Sequence, residues 1–345
     1  MSSKIAFTCG GTGGHVYPAI ALAQELPDYT PFFLGTSDRE DHRIVAQYGF
    51  PFFTVGTRNL TIFNALKILI SAFKIFKKNL PHLLICTGGS QTLFVAIAAW
   101  LSGIPIFILE QNTHPGRTNR LLSFLAKKII LSFPESRPFF SSKKSILLGN
   151  PVRKTFPKDP VIELILPILA PINSPLILVI GGSQGALAIN QFITQHHTEI
   201  IQSAYFWIHL MGQKNYISKF GKTPFTQISE RLIALPYCEQ MDWLYTKAEF
   251  IISRSGATTI AELIHYQKKA ILVPFPFAKD NHQVTNATHF CAHYPGKLIL
   301  EHLLNWNNIQ NALSSLKQLP PTPPSHNPRT QIAKFIKDFI TKGTT

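Results

Sequence analysis

Twice along the 345-residue chain, a run of β-forming apolar residues ends in a glycine cluster and passes into a helix-like segment. The first is Ile5-Ala6-Phe7-Thr8-Cys9 leading into Gly10-Gly11-Thr12-Gly13-Gly14-His15. The second is residues 176–180 leading into Gly181-Gly182-Ser183-Gln184-Gly185-Ala186. Glycines at a strand end let the backbone approach an anion, and the helix that follows offers unpaired N–H groups and the positive end of its dipole. Further β-type runs at 83–86, 104–109, 250–253 and 270–274 alternate with longer helix-like segments. That alternation predicts parallel α/β layers. Two such starts, in a chain longer than one core usually organises, predict two Rossmann-like halves.

Hydrophobic residues at 45% and charged residues at 15% exclude a disordered chain. Thirty-three Lys plus Arg against 18 Asp plus Glu leave +15, which favours an anionic partner such as phosphate, nucleic acid or acidic lipid. Cys9, Cys86, Cys238 and Cys291 form neither a C-x-x-C pair nor a zinc spacing, which fits a reducing cytosol. The few apolar residues between Lys4 and Gly10 are too short for the core of an export signal. The apolar run 92–109 approaches spanning length, but Ser102, Gly103 and Pro105 break it into helix, turn and strand.

Prolines at 151, 157, 160, 167, 171 and 175 exclude a long helix there and place the interdomain linker at the start of the stretch. The expected division is 1–153, 154–327, and a tail, 328–345, that packs back near the first domain. In that tail Ile332, Phe335, Ile336 and Phe339 share one helical face. The mixed charges of 37–43 read as a solvated loop. Between 64 and 78, Leu66, Ile68, Leu69, Ile70, Phe73, Ile75 and Phe76 lie among Lys67, Lys74, Lys77 and Lys78. A basic, apolar helix of this type rests in a membrane interface; the alternative is a buried helix with lysines at its edges. The charge surplus favours membrane contact through Lys67, Leu69, Ile70, Phe73, Lys74, Phe76, Lys77 and Lys78.

A dinucleotide fingerprint beginning at Gly11 needs glycine at position 16, which is Val16, and no G-K-[ST] follows either loop. Hydride transfer and ATP hydrolysis therefore lose ground. A third stretch, Ser253-Arg254-Ser255-Gly256-Ala257-Thr258-Thr259-Ile260-Ala261-Glu262, again follows an apolar strand and opens a helix. Glu262 lies where a carboxylate can accept both hydroxyls of a ribose; the alternative is an ordinary solvated glutamate. Residues 275–287 bring amide and imidazole groups, including Gln283, that can hydrogen-bond sugar hydroxyls.

In order, the first glycine loop with Val16-Tyr17-Pro18, Glu110-Gln111-Asn112, Gly149-Asn150-Pro151-Val152-Arg153, the second glycine loop with Asn190, Arg254-Ser255-Gly256-Ala257 through Glu262, and His282-Gln283 with Asn286-Ala287 closely resemble the MurG family. The resemblance spans nearly the whole chain. It implies a GT-B glycosyltransferase fold, two Rossmann-like α/β domains with parallel sheets facing across a cleft. The implied reaction is inverting transfer of N-acetylglucosamine from UDP-N-acetylglucosamine to the muramyl 4-hydroxyl of lipid I, giving β-1,4-linked lipid II and UDP in peptidoglycan synthesis. By family pattern Thr12, Gly13, Gly14, Asn112, Arg153, Ser183, Cys238, Ala257, Thr258, Thr259, Ile260, Ala261, Glu262 and Gln283 fall on UDP-N-acetylglucosamine-binding positions. Ser183 suits the pyrophosphate, Glu262 the ribose, Gln283 the sugar, and the Cys238 backbone the uracil.

His15 is the leading candidate for the catalytic base or for an acceptor-pyrophosphate contact, and Glu110 is the second candidate base. The sequence has no Asp-x-Asp, so no obligatory metal or other cofactor is expected, with a divalent cation at most stimulatory. The implied partners are UDP-N-acetylglucosamine, lipid I and the anionic cytoplasmic face of the bacterial inner membrane, where the enzyme is peripheral. Other wall-synthesis or division proteins are further candidates for which no residue marks a site, and nucleic acid is not among the expected partners.

Two departures bear on the acceptor side and on a turn. Thr87-Gly88-Gly89-Ser90-Gln91 stands where the family usually has Gly-Gly-Tyr and a proline, and Gln267-Lys268-Lys269 replaces a Gly-x-Pro. Within the same fold, the rival reading is a glycosyltransferase with another lipid or natural-product acceptor, against which the Gly-Gly-Thr-Gly-Gly-His loop argues. A nucleic-acid-binding protein would explain the charge but lacks any helix-turn-helix, zinc or aromatic RNA-binding signature.

Overall fold

The structure, a computed structural model, describes residues 3–10, 13–36, 40–57, 59, 61–154, 159–182, 185–323 and 328–342. The chain forms two compact units, 1–154 with 326–345 and 155–325.

Unit 1 runs β1 (Lys4–Thr8), α1 (Gly13–Glu25), β2 (Thr30–Thr36), α2 (Glu40–Gln47), β3 (Phe52–Gly56), α3 (Ile62–Asn79) and β4 (Leu83–Cys86). It continues with α4 (Thr92–Leu101), β5 (Ile106–Glu110), α5 (Arg117–Leu122), β6 (Lys128–Leu131) and β7 (Ser145–Leu147). The strands form a 7-stranded sheet in the order β3-β2-β1-β4-β5-β6-β7, and every pairing is parallel. Parallel strands covered on both faces must be apolar throughout; β1, β4 and β5 are indeed buried along nearly their whole length. The run 92–109 divides into α4, a turn at the positive-φ Gly103, and β5.

Unit 2 opens with α6 (Pro160–Leu169), β8 (Leu176–Ile180), α7 (Leu187–Gln195), α8 (His197–Gln202), β9 (Phe206–Leu210) and α9 (Gln213–Phe220). It then runs through β10 (Thr226–Ser229), β11 (Leu232–Leu235), α10 (Met241–Lys247), β12 (Ala248–Ser253) and α11 (Ala257–His265). It ends with β13 (Lys269–Leu272), α12 (His282–His293), β14 (Gly296–Leu298) and α13 (Trp306–Gln318). The second 7-stranded sheet has the order β10-β11-β9-β8-β12-β13-β14. Its pairings are parallel except at the β10 edge, where a short hairpin makes the sheet mixed.

The proline-dense stretch is not all linker. Asp159 Oδ1 accepts the Val161 N–H at 3.0 Å and Pro160 occupies the first helical turn, so α6 begins where a missing N–H costs nothing. The solvated-loop reading of 37–43 needs correction: residues 37–39 lie outside the described residues, α2 starts at Glu40, and Asp41 is fully buried. Its Oδ1 accepts the backbone N–H of His42 at 3.0 Å, which local charge counting does not reveal.

The final helix, α14 (Pro328–Lys342), belongs to the core of unit 1. Ile332, Ala333, Ile336 and Ile340 join the apolar cluster of Ile5, Phe7, Val16 and Ile20, and the Phe339 and Phe335 rings lie 4.7 and 5.8 Å from that of Phe107. Glu25 Oε2, at the end of α1, meets Lys154 Nζ at 3.1 Å and Arg329 Nε at 2.9 Å, which ties both ends of the excursion to one helix. Ile336→Ala should therefore cost about 2–5 kcal/mol. Chemical denaturation followed by circular dichroism checks this; an unchanged midpoint would mean that α14 adds nothing to the core.

Candidate functional site

In an open parallel sheet, ligands bind beyond the carboxyl ends of the strands where the order reverses. In unit 1 that point lies between β1 and β4, in unit 2 between β8 and β12. Each glycine loop follows one of these strands.

In unit 1 the loop after β1 is packed against the loop after β4. A Cβ on Gly10 would stand 2.3 Å from the Gly89 Cα, and Gly88 and Gly89 have φ of +114° and +98°. No side chain fits there. His15, in the first turn of α1, lies directly over Gly88: a Cβ on Gly88 would come within 2.9 Å of the imidazole Cε1. Thr87 Oγ1 donates to the His15 carbonyl at 2.8 Å, Thr92 Oγ1 to the Gly88 carbonyl at 2.8 Å, and Gln91 Nε2 to the Cys9 carbonyl at 3.2 Å. Gln91, one of the departures from the family pattern, is thus buried and braces the two loops together, while Ser90 is exposed. Gly13 and Gly14 form the start of α1; Thr12 lies outside the described residues.

Glu110 ends β5 and is 1% exposed. Its carboxylate accepts the Asn112 N–H at 3.0 Å, the Gly116 N–H at 3.3 Å and Asn119 Nδ2 at 2.8 Å. Burial pushes its pKa up and these donors oppose the shift. A carboxylate so occupied holds the loop that presents Asn112. Arg153 is also largely buried: its guanidinium lies 4.2 Å from the Tyr17 ring centroid and donates to Tyr48 Oη at 2.8 Å. Tyr17 belongs to the first motif, whereas Tyr48 carries no signal in the sequence pattern.

In unit 2 the glycine loop is as constrained. Gly182 and Gly185 have φ of +85° and +74°, and a Cβ on Gly185 would fall 2.1 Å from the Met211 carbonyl oxygen. Ser183 lies outside the described residues. On α7, Asn190 Nδ2 donates to the Met211 carbonyl at 3.0 Å, so its Oδ1 faces His209 Nε2 at 2.9 Å as an acceptor. Burial drives the His209 pKa down to about 3, and the neutral ring donates from Nε2.

Gly256 precedes α11 without any side-chain cap. Ala257, Thr258, Thr259, Ile260 and Ala261 make the first turns of that helix, and Glu262 follows, only 9% exposed. The solvated-glutamate alternative is therefore ruled out. Tyr245 Oη, from α10, donates to Glu262 Oε2 at 2.9 Å and fixes the carboxylate. Ser255 Oγ donates to the Gln283 carbonyl at 2.7 Å, Asn286 Nδ2 to the Ser255 carbonyl at 3.1 Å, and Gln283 Oε1 accepts the Phe275 N–H at 3.0 Å. These bonds bring Gln283 to the start of α11. Arg254 serves structure: it donates to the Val273 and Pro274 carbonyls, each at 3.1 Å, and pairs with Glu301. Cys238 is fully buried, and its loop is held by Asp159, whose Oδ2 accepts the Glu239 N–H at 2.7 Å. The Asp159-Pro160 pair was readable as a helix start, but its reach to residue 239 was not.

A glycine loop at the switch point of each of two Rossmann-like units, with a fixed buried carboxylate in the second, fits the class of GT-B enzymes that act on a sugar nucleotide. Comparison with known proteins agrees. Residues 5–131 match the glycosyltransferase family 28 N-terminal domain and residues 176–342 its C-terminal domain. A curated relative from Halothermothrix orenii, UDP-N-acetylglucosamine–N-acetylmuramyl-(pentapeptide) pyrophosphoryl-undecaprenol N-acetylglucosamine transferase, is 36% identical over 306 residues, 82% of each chain. The relative of that name from Carboxydothermus hydrogenoformans is 31% identical over 334 residues, 92% of this chain and 90% of its own. The crystal structure of Acinetobacter baumannii MurG shares the fold with a TM-score of 0.70 at 24% identity, covering 97% of this chain and 99% of the other. The chain belongs to glycosyltransferase family 28 and, within it, to the MurG family.

Proposed function

We propose that the protein transfers N-acetylglucosamine from UDP-N-acetylglucosamine to the 4-hydroxyl of the muramyl unit of lipid I, with inversion, to give lipid II and UDP. The observation that carries this reading is the Glu262 carboxylate on α11, buried and oriented by Tyr245, in a chain alike over most of its length to enzymes of that name. Glu262 accepts the ribose hydroxyls, Gln283 the sugar hydroxyls, and the Cys238 backbone the uracil. The loop containing Ser183 and the uncapped start of α7 receive the pyrophosphate.

His15 takes the proton of the acceptor hydroxyl as its oxygen attacks the anomeric carbon from the face opposite the departing phosphate. The electron pair of the broken C–O bond leaves with UDP. Helix N-termini and Arg153 stabilise that charge, so no divalent cation is required. Radiolabelled transfer to a short-chain lipid I analogue, run with EDTA and with magnesium, tests this. Product in both is expected. No product despite saturable UDP-N-acetylglucosamine binding would remove the acceptor assignment and retain the donor half.

The enzyme works at the cytoplasmic face of the inner membrane, where its prenyl-linked acceptor lies. Among the described residues no helix is long and apolar enough to span a bilayer. Helix α3 instead exposes Ile62, Phe63, Leu66 and Ile70, with Lys67, Lys74, Lys77 and Lys78 also in solvent. Leu69 and Phe73 are half-buried. Phe76 needs correction: with Ile68 and Ala72 it forms the i, i+4, i+8 stripe that packs into unit 1, so it is not a membrane contact. Changing the four lysines to glutamate should weaken sedimentation with anionic liposomes by at least about 10²-fold, at about 1 kcal/mol for each basic residue. Undiminished binding would move the membrane face elsewhere.

A further inference from the structure

Unit 2 contains a cavity of about 380 Å³ at the end of its sheet opposite the glycine loop. Leu176 and Ala248, at its base, are the first residues of β8 and β12, whose far ends lead to the loops at 181 and 254. Five residues of β8 separate the two ends, on the order of 15 Å. The walls are Leu166 and Leu169 of α6, Ile172, Pro175, and Trp243 and Lys247 of α10. Its volume lies in the range of small-molecule sites, about 300–1,000 Å³.

The lining is mixed: Leu166, Leu169, Ile172 and Leu176 supply apolar surface, and Lys247 and Glu249 bring one charge of each sign. Lys247 Nζ stands 5.9 Å from the Trp243 ring centroid, and among the described residues no carboxylate lies within salt-bridge distance of that ammonium. Nor does the Trp243 indole N–H have an acceptor among the described residues. Glu249 also lines the cavity, but it is not within salt-bridge distance of Lys247. An ammonium and an N–H donor beside leucine side chains complement a molecule with an anionic head and a short apolar body.

We infer that this cavity, built by α6 and α10 with the starts of β8 and β12, is a binding site for a small apolar carboxylate. It is independent of the transfer reaction and of the residues assigned to it. Lys247 holds the carboxylate, Trp243 flanks it, and Leu166, Leu169 and Ile172 receive the hydrocarbon.

Calorimetric titration of the full-length protein with octanoate, and with the neutral octanamide, tests the assignment. Wild-type protein should bind octanoate saturably at one site and octanamide about five- to tenfold more weakly. Lys247→Gln should lose that preference, and Leu169→Glu should abolish binding. Because Lys247 is exposed, its variant keeps the test valid if Leu169→Glu does not fold. The triple change Phe63→Ser, Leu66→Ser and Ile70→Ser on α3 should leave octanoate affinity unchanged. Absence of saturable binding up to the solubility limit, wild-type preference for octanoate in Lys247→Gln, or loss of binding only in the α3 variant would each overturn the inference.

Discussion

His15→Ala is expected to lower turnover on lipid I by about 10²–10⁴-fold, the usual contribution of a general base, while UDP-N-acetylglucosamine affinity stays within about twofold. The ring over Gly88 is what alanine removes. The backbone at that position stays pinned by Thr87, whose hydroxyl donates to the His15 carbonyl at 2.8 Å, and the close approach of Gly10 to Gly89 beneath is backbone to backbone. The loops should therefore keep their shape. Single-turnover kinetics with saturating donor, with calorimetry for donor affinity, separate the two roles open to this residue. A base that is lost lowers kcat, whereas a lost contact to the acceptor pyrophosphate raises KM for lipid I with kcat largely kept. His15→Gln, which hydrogen-bonds but takes no proton, should follow alanine in the first case and recover in the second. Wild-type turnover in both variants would remove His15 from the chemistry.

Glu262→Ala should weaken UDP-N-acetylglucosamine binding by about 10–100-fold, because two charge-assisted hydrogen bonds to ribose hydroxyls disappear from a buried site. It should also destabilise unit 2 by about 1–2 kcal/mol, since the Tyr245 hydroxyl loses its acceptor in the interior. Tyr245→Phe keeps the carboxylate but loosens it, so a decrease in affinity of only a few-fold is expected. The decisive measurement is a cycle pairing Glu262→Ala with 2′-deoxy-UDP. If the carboxylate receives the ribose, the deoxy ligand should bind wild type more weakly than UDP does, and the variant should scarcely tell the two apart. Independent effects of the two changes would place Glu262 away from the ribose.

Much of this site was legible because its constraints are steric and local. Gly10, Gly88, Gly89 and Gly185 occupy places where a Cβ has no room, and glycine after an apolar strand announces such places. Glu262 is legible as a carboxylate on the helix that follows the third small-residue loop, but its burial is not, because Tyr245 lies 17 residues away on another helix. Pairings of that kind have no sequence period. The same holds for Arg153 between Tyr17 and Tyr48, and for Asp159 holding the Glu239 amide. Glu110 resembled a base because a carboxylate at a strand end often is one; only its three donors show that it is occupied with structure. Helix α3 misled in a different way. Its apolar residues cover two faces, and Phe76 was grouped with the exposed one although the 68, 72, 76 spacing assigns it to the other. Buried Asp41 was hidden by charged neighbours in sequence, which say little about what lies beneath the helix.

The place of α14 also sets an order for biosynthesis. The apolar surface of α1 and β1 that this helix covers is made early, yet its cover leaves the ribosome only after the 173 residues from 155 to 327 have followed. At about 5–20 residues per second that is a delay of roughly 10–35 s. During that interval the nascent chain can complete unit 2, whose residues are contiguous, while the earlier half stays unfinished and sticky. Chaperone demand should be concentrated there. A fusion placed after Thr345 prolongs the wait only slightly, whereas a stop codon before Pro328 makes it permanent.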